Sequence, residues 1–374
     1  MYNDNFLDKK LNERKQQNAF RQLKLPESKI DFCSNDYLGI VKNNLLYKLQ
    51  TPNCKLQTGS TGSRLLAGNY KLIEEAEKQI ASFHKAETAV IFNSGYDANV
   101  GILSCIPQRD DIILFDFLSH ASIRDGIRLS FAQSFSFAHN DLNDLVKKLQ
   151  QVVSGNIAAS EKKIFVVTES VFSMDGDICP LQQLVQLCKK YNAHLIIDEA
   201  HATGVIGASG EGLVQYLHLQ DEIFCRVHTF GKACGCHGAA VTGSQRLRNY
   251  LINFARSFIY STALPEQAVA LIQASYQTFP NMMNERKHLQ RLINLFQSSD
   301  IPYEKSISQT PIQIVIVPGN DQIKILAEKL QQNNLDVRPI LYPTVTKGKE
   351  RLRIVLHAFN TENEVQFLIG ELKK

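Results

Sequence analysis

Three segments decide how this chain is expected to fold: TESVFSMDGD at 168–177, LIIDEAH at 195–201 and TFGK at 229–232. Each segment places polar, reactive side chains directly after an apolar run or at its end. In an open parallel sheet such runs are strands, and ligands bind outside the carboxyl ends of those strands. The sequence therefore predicts that the carboxylate of Asp198, the imidazole of His201 and the amine of Lys232 face one crevice.

These three groups together fit an aldehyde cofactor that has a basic ring nitrogen. A lysine forms a Schiff base with pyridoxal phosphate, and the ring nitrogen of that cofactor needs an acidic partner. We predict Lys232 as the Schiff-base lysine, Asp198 as the partner of the ring nitrogen and His201 as a donor to the ring oxygen. Taken singly, each group is more often part of a solvated turn or loop. Their order, and their shared position at strand ends, favours a site.

The composition limits the other classes of protein. The chain has 374 residues, 44% hydrophobic and 21% charged, which is typical of a soluble globular protein of two or three domains. The net charge of +4 is too small to indicate nucleic-acid binding. No apolar run approaches the roughly 18 residues that span a membrane, and there is no signal-peptide core, so we expect a cytoplasmic protein that does not bind membranes.

Cysteine spacing gives no indication of a metal site. The 8 cysteines form no Cys-x-x-Cys pair and no zinc-finger pattern. A metal site at the Cys234-Gly235-Cys236-His237 sequence is the less favoured alternative to reduced thiols beside a glycine loop. We therefore expect no metal.

The phosphate of a cofactor has a predicted place after the first long strand. The apolar run 89–92 ends in NSGYDAN at 93–99, which opens a helix. A strand, a glycine turn and a helix start present free N–H groups and the positive end of the helix dipole to an anion. Ser94, Gly95 and Tyr96 are the predicted contacts. The stretch TGSTGSRLLAGNY at 58–70 fits a loop for a phosphate or a nucleotide tail and a flexible connection equally well.

Further polar residues follow other predicted strands and turns. His120 lies where a strand over 111–116 leads into a helix, so it either stacks on a cofactor ring or serves a structural role. Ser173 lies in the polar loop after the strand at 164–167. Asn35, in the turn SNDYLG at 34–39, either presents its amide to a substrate carboxylate or caps the turn.

The order of predicted elements indicates an α/β fold. Strands alternate with helices from 88 to 230, the pattern of a doubly wound, mostly parallel sheet with helices on both faces. The pattern changes near residue 275 to that of a small α+β domain. We predict an N-terminal helix over 4–24 and an extended segment within 1–43, a large domain over 44–274 and a C-terminal domain over 275–374. In the C-terminal domain, Arg353 either binds a carboxylate through two parallel hydrogen bonds or is a solvated strand residue.

The chain resembles the α-oxoamine synthases. The resemblance covers nearly the whole chain, and its motifs occur in the family's order. The motifs are SNDYLG (34–39), GSTGSR (59–64), SHAS (119–122), VFSMDGD (171–177), DEAHATG (198–204), TFGK (229–232) and YSTALP (260–265).

This resemblance implies a fold-type-I, pyridoxal-phosphate-dependent transferase that acts as a homodimer with its sites at the interface. Family members join an amino acid to an acyl thioester with loss of carbon dioxide. By resemblance, Lys232, Asp198 and His201 have the roles given above, and His120 stacks on the cofactor ring. The remaining cofactor contacts would come from Gly95, Tyr96, Ser173 and Thr229, with Thr262 reaching the phosphate across the dimer.

Within the family, Arg21 and Thr344 match positions that contact the substrate in members that condense L-alanine with a pimeloyl thioester. The predicted partners are therefore L-alanine and an acyl thioester, with Asn35 and Arg353 holding carboxylates. Members that use glycine or serine share most of the site, and the sequence leaves the acyl length and the type of thioester open. The chain departs from the family at Cys234 to His237, where we expect an effect on packing only.

Two hypotheses from other classes of protein are the alternatives to this function. A non-catalytic protein that kept the fold is expected to have lost the lysine or its acidic partner, and this chain has both. A dinucleotide-dependent oxidoreductase needs a Gly-x-Gly-x-x-Gly after its first strand and an acid about 20 residues later, and the sequence has neither.

Overall fold

The computed structural model describes residues 2–25, 28–46, 56–154 and 162–374. The chain forms two compact units. The larger unit comprises Leu38–Ser173 and Ile178–Arg286, and the smaller unit comprises Met1–Tyr37, Met174–Asp177 and Lys287–Lys374.

The strands are, in chain order, β1 (Ile30–Asp31), β2 (Thr88–Phe92), β3 (Ile112–Asp116), β4 (Gln133–Phe137), β5 (Ile164–Glu169), β6 (Ala193–Asp198), β7 (Cys225–Thr229), β8 (Ala239–Gly243), β9 (Glu304–Lys305), β10 (Ile312–Ile316), β11 (Leu335–Asp336), β12 (Arg338–Ile340) and β13 (Arg351–Val355). The α-helices are α1 (Asp8–Gln16), α2 (Lys71–Phe83), α3 (Gly95–Cys105), α4 (Ala121–Leu129), α5 (Leu142–Ser154), α6 (Leu181–Lys190), α7 (Leu213–Tyr216), α8 (Gln245–Phe254), α9 (Arg256–Ile259), α10 (Glu266–Thr278), α11 (Met283–Gln297), α12 (Asn320–Gln332) and α13 (Glu362–Lys373).

A seven-stranded sheet forms the centre of the larger unit, in the order β2-β8-β7-β6-β5-β3-β4. The strands β4, β3, β5, β6 and β7 are parallel, whereas β8 runs antiparallel to both of its neighbours, β2 and β7. The mostly parallel sheet predicted from the sequence is therefore confirmed. The carboxyl ends of β5, β6 and β7 lie at one edge of this sheet.

Both faces of the sheet are buried, as continuous apolar strands require. Alternate residues of one strand enter two different cores. Val166 packs in the core that includes Leu145 and Leu184 of α5 and α6. Its neighbour Val167 packs in the core that includes Ile102 of α3 and Ile123 of α4. Helices therefore cover both faces, as predicted.

The lysine loop is a hairpin connection. Strand β7 ends at Thr229, and the antiparallel strand β8 begins at Ala239 and pairs directly with it. Lys232 lies in the short connection between them. Strand β8 was not predicted, because its residues, AAVTG, are small and follow a glycine-rich loop. They show neither a long apolar run nor a clear alternation of apolar and polar residues.

The smaller unit is an α+β arrangement, as predicted. Its main sheet has the order β12-β13-β10-β9 and is antiparallel. A second pair joins β1 and β11 in parallel. Helix α13 begins with a capping box, in which Thr361 and Glu364 exchange hydrogen bonds with each other's backbone N–H.

The structure differs from the predicted boundaries in three places. The predicted helix over 4–24 ends at Gln16, since Asn18 takes a left-handed backbone with φ of 48°, and Arg21 lies outside it. The larger unit continues past 274 to Arg286. Helix α10 belongs to the larger unit because Ser275 Oγ donates to Cys234 O (2.6 Å) and the Tyr276 hydroxyl lies 3.0 Å from His84 Nε2. Likewise, residues 1–37 group with the C-terminal residues.

In the described ranges, no helix is both long enough and apolar enough to cross a membrane.

Candidate active site

Asp198 is the last residue of β6 and is buried, with 6% of its surface exposed. Its Oδ2 accepts a hydrogen bond from Asn99 Nδ2 at 2.7 Å, and its Oδ1 accepts one from the backbone N–H of Ala200 at 2.8 Å. Two N–H donors on different elements therefore fix the orientation of this carboxylate. Asn99, in α3, was not predicted as a site residue.

Lys232 and His201 lie in contact. The lysine Nζ is 2.9 Å from His201 Nε2, which is hydrogen-bond distance. His201 follows β6 by three residues and Lys232 follows β7 by three residues, so the two loops meet because β6 and β7 are neighbours. The sequence-based prediction that these two residues share a crevice at the strand ends agrees with this contact.

His120 is linked to Asp198 through two polar side chains. Its Nδ1 lies 2.8 Å from Ser122 Oγ, and Ser122 Oγ accepts a hydrogen bond from Asn99 Nδ2 at 3.0 Å. Burial lowers the pKa of His120, and the positive charge of Lys232 lowers it further, while Asp198 opposes the shift. The charges of Asp198 and Lys232 therefore both act on the His120 ring, and the structure brings the three groups together.

Glu169 is a further buried acid at this edge of the sheet. It pairs in register with Asp198, and its Oε1 accepts the backbone N–H of His120 at 2.6 Å. Burial, and next the neighbouring Asp198 charge, raise the pKa of Glu169 to about 8. Glu199, on the other side of Asp198 in the chain, has its pKa raised to about 7, chiefly by burial. The site therefore holds carboxyl groups in distinct electrostatic environments.

The predicted phosphate contacts Ser94, Gly95 and Tyr96 lie at the start of α3, which we call the cradle. Ser94 caps the helix by accepting the N–H of Asp97 at 3.0 Å, and its hydroxyl also donates to Asp97 Oδ2 at 2.8 Å. The N–H groups of Gly95 and Tyr96 have no partner within the helix, as at every helix start. A Cβ at Gly95 would lie 2.4 Å from Thr229 Cγ2, so only glycine fits between this helix and the end of β7.

Thr229 joins the cradle to the carboxylate. Its Oγ1 donates to the carbonyl of Ala200 at 3.4 Å, and the N–H of Ala200 binds Asp198. A continuous set of contacts therefore runs from Gly95 through Thr229 and Ala200 to Asp198, and onward through Asn99 and Ser122 to His120.

The other predicted cofactor residues in the larger unit are less directly connected to this set. Tyr96 is 47% exposed, and its hydroxyl donates to Asp125 Oδ2 at 2.7 Å. The carbonyl of Thr262 accepts a hydrogen bond from Asn93 Nδ2 at 2.7 Å, next to the cradle in sequence. Ser173 is buried. The roles predicted for these three residues stay predictions.

The four predicted substrate residues form two pairs within the smaller unit. Arg353 Nη2 donates to Asn35 Oδ1 at 2.9 Å, and Arg21 Nη2 donates to Thr344 Oγ1 at 2.9 Å. Each of these arginines therefore contacts another of the predicted substrate residues, and the substrate roles of all four stay predictions.

Two other motifs have structural roles. Arg64, in the glycine-rich motif at 59–64, is buried and donates to Glu77 Oε1 at 2.7 Å and to Asn69 Oδ1 at 2.7 Å. Its guanidinium is thus committed to an internal ion pair. Cys236 Sγ donates to the carbonyls of Cys234 and Leu271, and among the residues that the structure describes no cluster of His, Cys, Asp and Glu is arranged to hold a metal ion.

Comparison with known proteins agrees with this geometry. A model of the family described as aminotransferase class I and II matches residues 27–372. The chain is 40% identical over 349 residues to the 8-amino-7-oxononanoate synthase of Lysinibacillus sphaericus, covering 92% of this chain and 87% of that protein.

Solved structures agree as well. A crystal structure of 8-amino-7-oxononanoate synthase from Francisella tularensis is 29% identical, with a TM-score of 0.75, over 93% of this chain and 98% of that one. A high-resolution serine palmitoyltransferase containing pyridoxal phosphate is 25% identical, with a TM-score of 0.87, over 100% of this chain and 98% of that one.

The chain therefore belongs to the aminotransferase class I and II family, and it has the fold of the pyridoxal-phosphate transferases. Its likeness to 8-amino-7-oxononanoate synthases extends over nearly its whole length. The predicted fold class and the resemblance to the α-oxoamine synthases are confirmed.

Proposed function

We propose that this protein is an 8-amino-7-oxononanoate synthase. It condenses L-alanine with a pimeloyl thioester, of coenzyme A or of a carrier protein, and releases carbon dioxide and the free thiol, a step of biotin biosynthesis. The observation that carries this proposal is the contact between Lys232 and His201 beside the fixed carboxylate of Asp198. The cytoplasmic location predicted from the sequence is part of the same proposal.

The residues present fit pyridoxal phosphate. The helix start at Gly95, where the N–H groups of Gly95 and Tyr96 have no partner within the helix, suits the phosphate. Asp198 offers a buried carboxylate for the ring nitrogen. Lys232 supplies the amine that attaches to the aldehyde, His201 a donor to the ring oxygen, and His120 an imidazole to stack on the ring. When bound, the cofactor supplies an electron sink that stabilises negative charge at the amino-acid Cα.

The side chains of the protein transfer one proton and hold another in place. Lys232 takes the proton from Cα of alanine, and His201 holds the amine in place for this transfer from 2.9 Å away. The amine accepts this proton in its neutral form. Asp198 keeps the ring nitrogen protonated, and Asn99 and the Ala200 N–H keep Asp198 in position.

In the smaller unit, Arg353 and Asn35 bind a substrate carboxylate, and Arg21 and Thr344 contact the substrate. Arginine suits this task because its planar fork grips a carboxylate through two parallel hydrogen bonds. Holding the carboxylate matters because only the bond that is aligned with the electron sink breaks readily.

Substrate choice is the direct test of the proposal. Purified enzyme is assayed with L-alanine, glycine and L-serine against acyl-coenzyme A esters and a pimeloyl carrier protein, and thiol release is measured. L-alanine with the pimeloyl thioester should give the highest kcat/KM. A clear preference for glycine or serine would assign the protein to another branch of the family, such as 2-amino-3-ketobutyrate CoA ligase or serine palmitoyltransferase. Lys232→Ala should abolish turnover and leave the protein folded.

The enzyme acts as a homodimer, with Thr262 of each subunit reaching the phosphate in the other. Support comes from the large apolar side chains exposed on the larger unit around this segment, among them Leu66 (85%) and Tyr260 (72%). Mixing Lys232→Ala with Thr262→Ala should yield hybrid dimers in which one site has both native residues, so the mixture should be more active than either parent. Light scattering that found only monomers would contradict this arrangement.

A further inference from the structure

A cavity of about 680 Å³ opens at the amino-terminal edge of the seven-stranded sheet, within the larger unit. Residues at the starts of three neighbouring strands line it: Lys163 before β5, His194 in β6 and Phe224 before β7. His194 is four residues from Asp198 in β6, which is about 13 Å along a strand. The cavity is therefore separate from the site around Lys232, at the opposite edge of the sheet.

Three aromatic rings form one wall of the cavity. The centroids of Phe165 and His194 are 5.3 Å apart, those of His194 and Phe224 are 5.4 Å apart, and those of Phe165 and Phe224 are 6.1 Å apart. Burial and the charge of Lys163 lower the pKa of His194, so its ring is neutral at neutral pH. The Phe165 ring is buried behind the other two, and the half-buried rings of His194 and Phe224 are tilted by 53° to each other. They give the cavity an aromatic lining against which part of a ligand ring can pack.

A fourth ring is held in place by hydrogen bonds. The Tyr250 hydroxyl, on α8, donates to the carbonyl of Cys105 at 3.0 Å and accepts from Gln108 Nε2 at 3.2 Å. Because its hydroxyl is anchored, the Tyr250 ring is fixed where it lines the cavity. The aromatic lining is thus formed in the free protein, as is usual for small-molecule sites of 300–1,000 Å³.

Positive charge exceeds negative charge around this lining. Lys162, Lys163 and Arg246 line the cavity together with Asp110 and Asp111. Asp111 is already committed, because its two oxygens accept the backbone N–H groups of Lys163 (2.9 Å) and Gln108 (2.8 Å). The hydrogen bonds to Asp111 orient its carboxylate without removing its charge, so three cations face two carboxylates. The lining therefore has one excess positive charge, which an anionic group on a ligand would balance.

We propose that this cavity binds a small aromatic anion. Its ring system packs against His194, Phe224 and Tyr250, and its carboxylate, sulfonate or phosphate is held by Lys162, Lys163 and Arg246. The rings favour an aromatic body, and the cations favour negative charge.

The test uses 8-anilinonaphthalene-1-sulfonate, a fluorescent aromatic anion, with enzyme already loaded with pyridoxal phosphate so that the active site is filled. We expect saturable binding to the native protein. The double variant Lys163→Glu/Arg246→Glu should bind at least 10-fold more weakly. The control variant Lys78→Glu/Lys147→Glu changes the net charge equally at exposed positions that do not line the cavity, and it should bind like the native protein.

Three outcomes would overturn the proposal: no saturable binding to the native protein, equal affinity in the two double variants, or equally tight binding of the uncharged N-phenyl-1-naphthylamine. The last comparison needs no variant, so it tests the role of the cations even where a substitution disturbs folding. A crystal soaked with the sulfonate should show it against His194, and density only elsewhere would count against the site.

Discussion

At the level of single residues, the site depends on how Asp198 is held. Lys232, Asp198 and His201 were predictable, since each follows an apolar run in a recognisable motif. Asn99 and Ser122 were not, because their role arises only when α3 and α4 pack beside the end of β6. The sequence shows only an asparagine within a predicted helix, and this does not indicate which residue its side chain contacts.

Asn99→Ala should weaken the enzyme without unfolding it. It removes one of the two donors to the Asp198 carboxylate, and a hydrogen bond to a charged group contributes about 2 kcal/mol. We expect kcat/KM to fall about 30-fold, with weaker cofactor binding measured by absorbance titration. Asn143→Ala, at an exposed position in α5, is the matched control. A loss of less than two-fold would mean that Asn99 does not position Asp198.

Glu169 should make stability depend on pH. Its folded-state pKa of about 8 lies above its ordinary value of 4.5. The folded state therefore binds more protons in this range, so its contribution to stability is complete below about pH 4.5 and is lost as pH rises through 8. This group alone should lower the stability of the native protein between pH 5.5 and about 8, by at most about 1.4 kcal/mol per pH unit. The buried histidines His84 and His228, whose pKa values are lowered by burial, act in the opposite direction up to about pH 6.5.

Urea unfolding of the cofactor-free protein across that range measures the effect. Glu169→Gln cannot titrate, so the native protein should lose stability relative to this variant as pH rises across the range. Glu199, whose pKa is raised to about 7, and the buried histidines are present in both proteins and cancel in this comparison. Glu87→Gln, at an exposed position, should keep the native slope. Identical slopes for the native protein and Glu169→Gln would contradict the assignment.

At the level of elements, the tight approach of α3 to β7 shapes the cradle. Strong local signals made some elements predictable: the apolar run at 89–92 and the polar turn after it predicted β2 and the start of α3. Strand β8 and the end of α1 at Gln16 were not predictable, because they depend on pairing and on the backbone at Asn18. Whether a glycine is required at position 95 likewise depends on Thr229, which is distant in sequence.

Gly95→Ala should destabilise the protein and weaken cofactor binding. The new Cβ would lie 2.4 Å from Thr229 Cγ2, so the helix or the strand end must shift. Overpacking of this kind costs about 1–3 kcal/mol. Adding Thr229→Ser removes the clashing methyl group and should restore most of the stability and most of the cofactor affinity. Gly370→Ala, in α13 with no atom within 4 Å of its new Cβ, should be neutral or slightly stabilising.

Thermal unfolding and a cofactor titration measure these effects. If the second substitution does not rescue Gly95→Ala, the contact with Thr229 is not the reason for glycine at this position.

At the level of the whole molecule, the smaller unit is built from three separate parts of the chain. Strand β1, from the N-terminal part, pairs with β11. From the middle part, the carbonyl of Gly176 accepts hydrogen bonds from Ser308 and Thr310 at 2.8 Å each. The sequence predicted a continuous domain after residue 275, because alternation of elements along the chain does not reveal such long-range returns.

The fragment 287–374 should therefore not fold cooperatively by itself. It lacks the partner of β11, and it leaves Ser308 and Thr310 without the carbonyl that they bind, which costs stability when such groups are buried. Circular dichroism during urea titration should show a broad, weak transition. Joining residues 1–37 through a flexible linker should sharpen it. A sharp transition in the unaided fragment would show that the other two parts are dispensable.

The hairpin between β7 and β8 limits how the reactive amine can travel. Both ends of this connection are tied into the middle of the sheet, so the main chain at residue 232 has little freedom to follow the reaction. The amine must then exchange partners by rotating its own methylene bonds. The reach of the amine then depends on the length of its side chain. Lys232→Cys alkylated to carry an aminoethyl group, which restores the original length, should recover part of the turnover. An aminopropyl group, one carbon longer, should recover less.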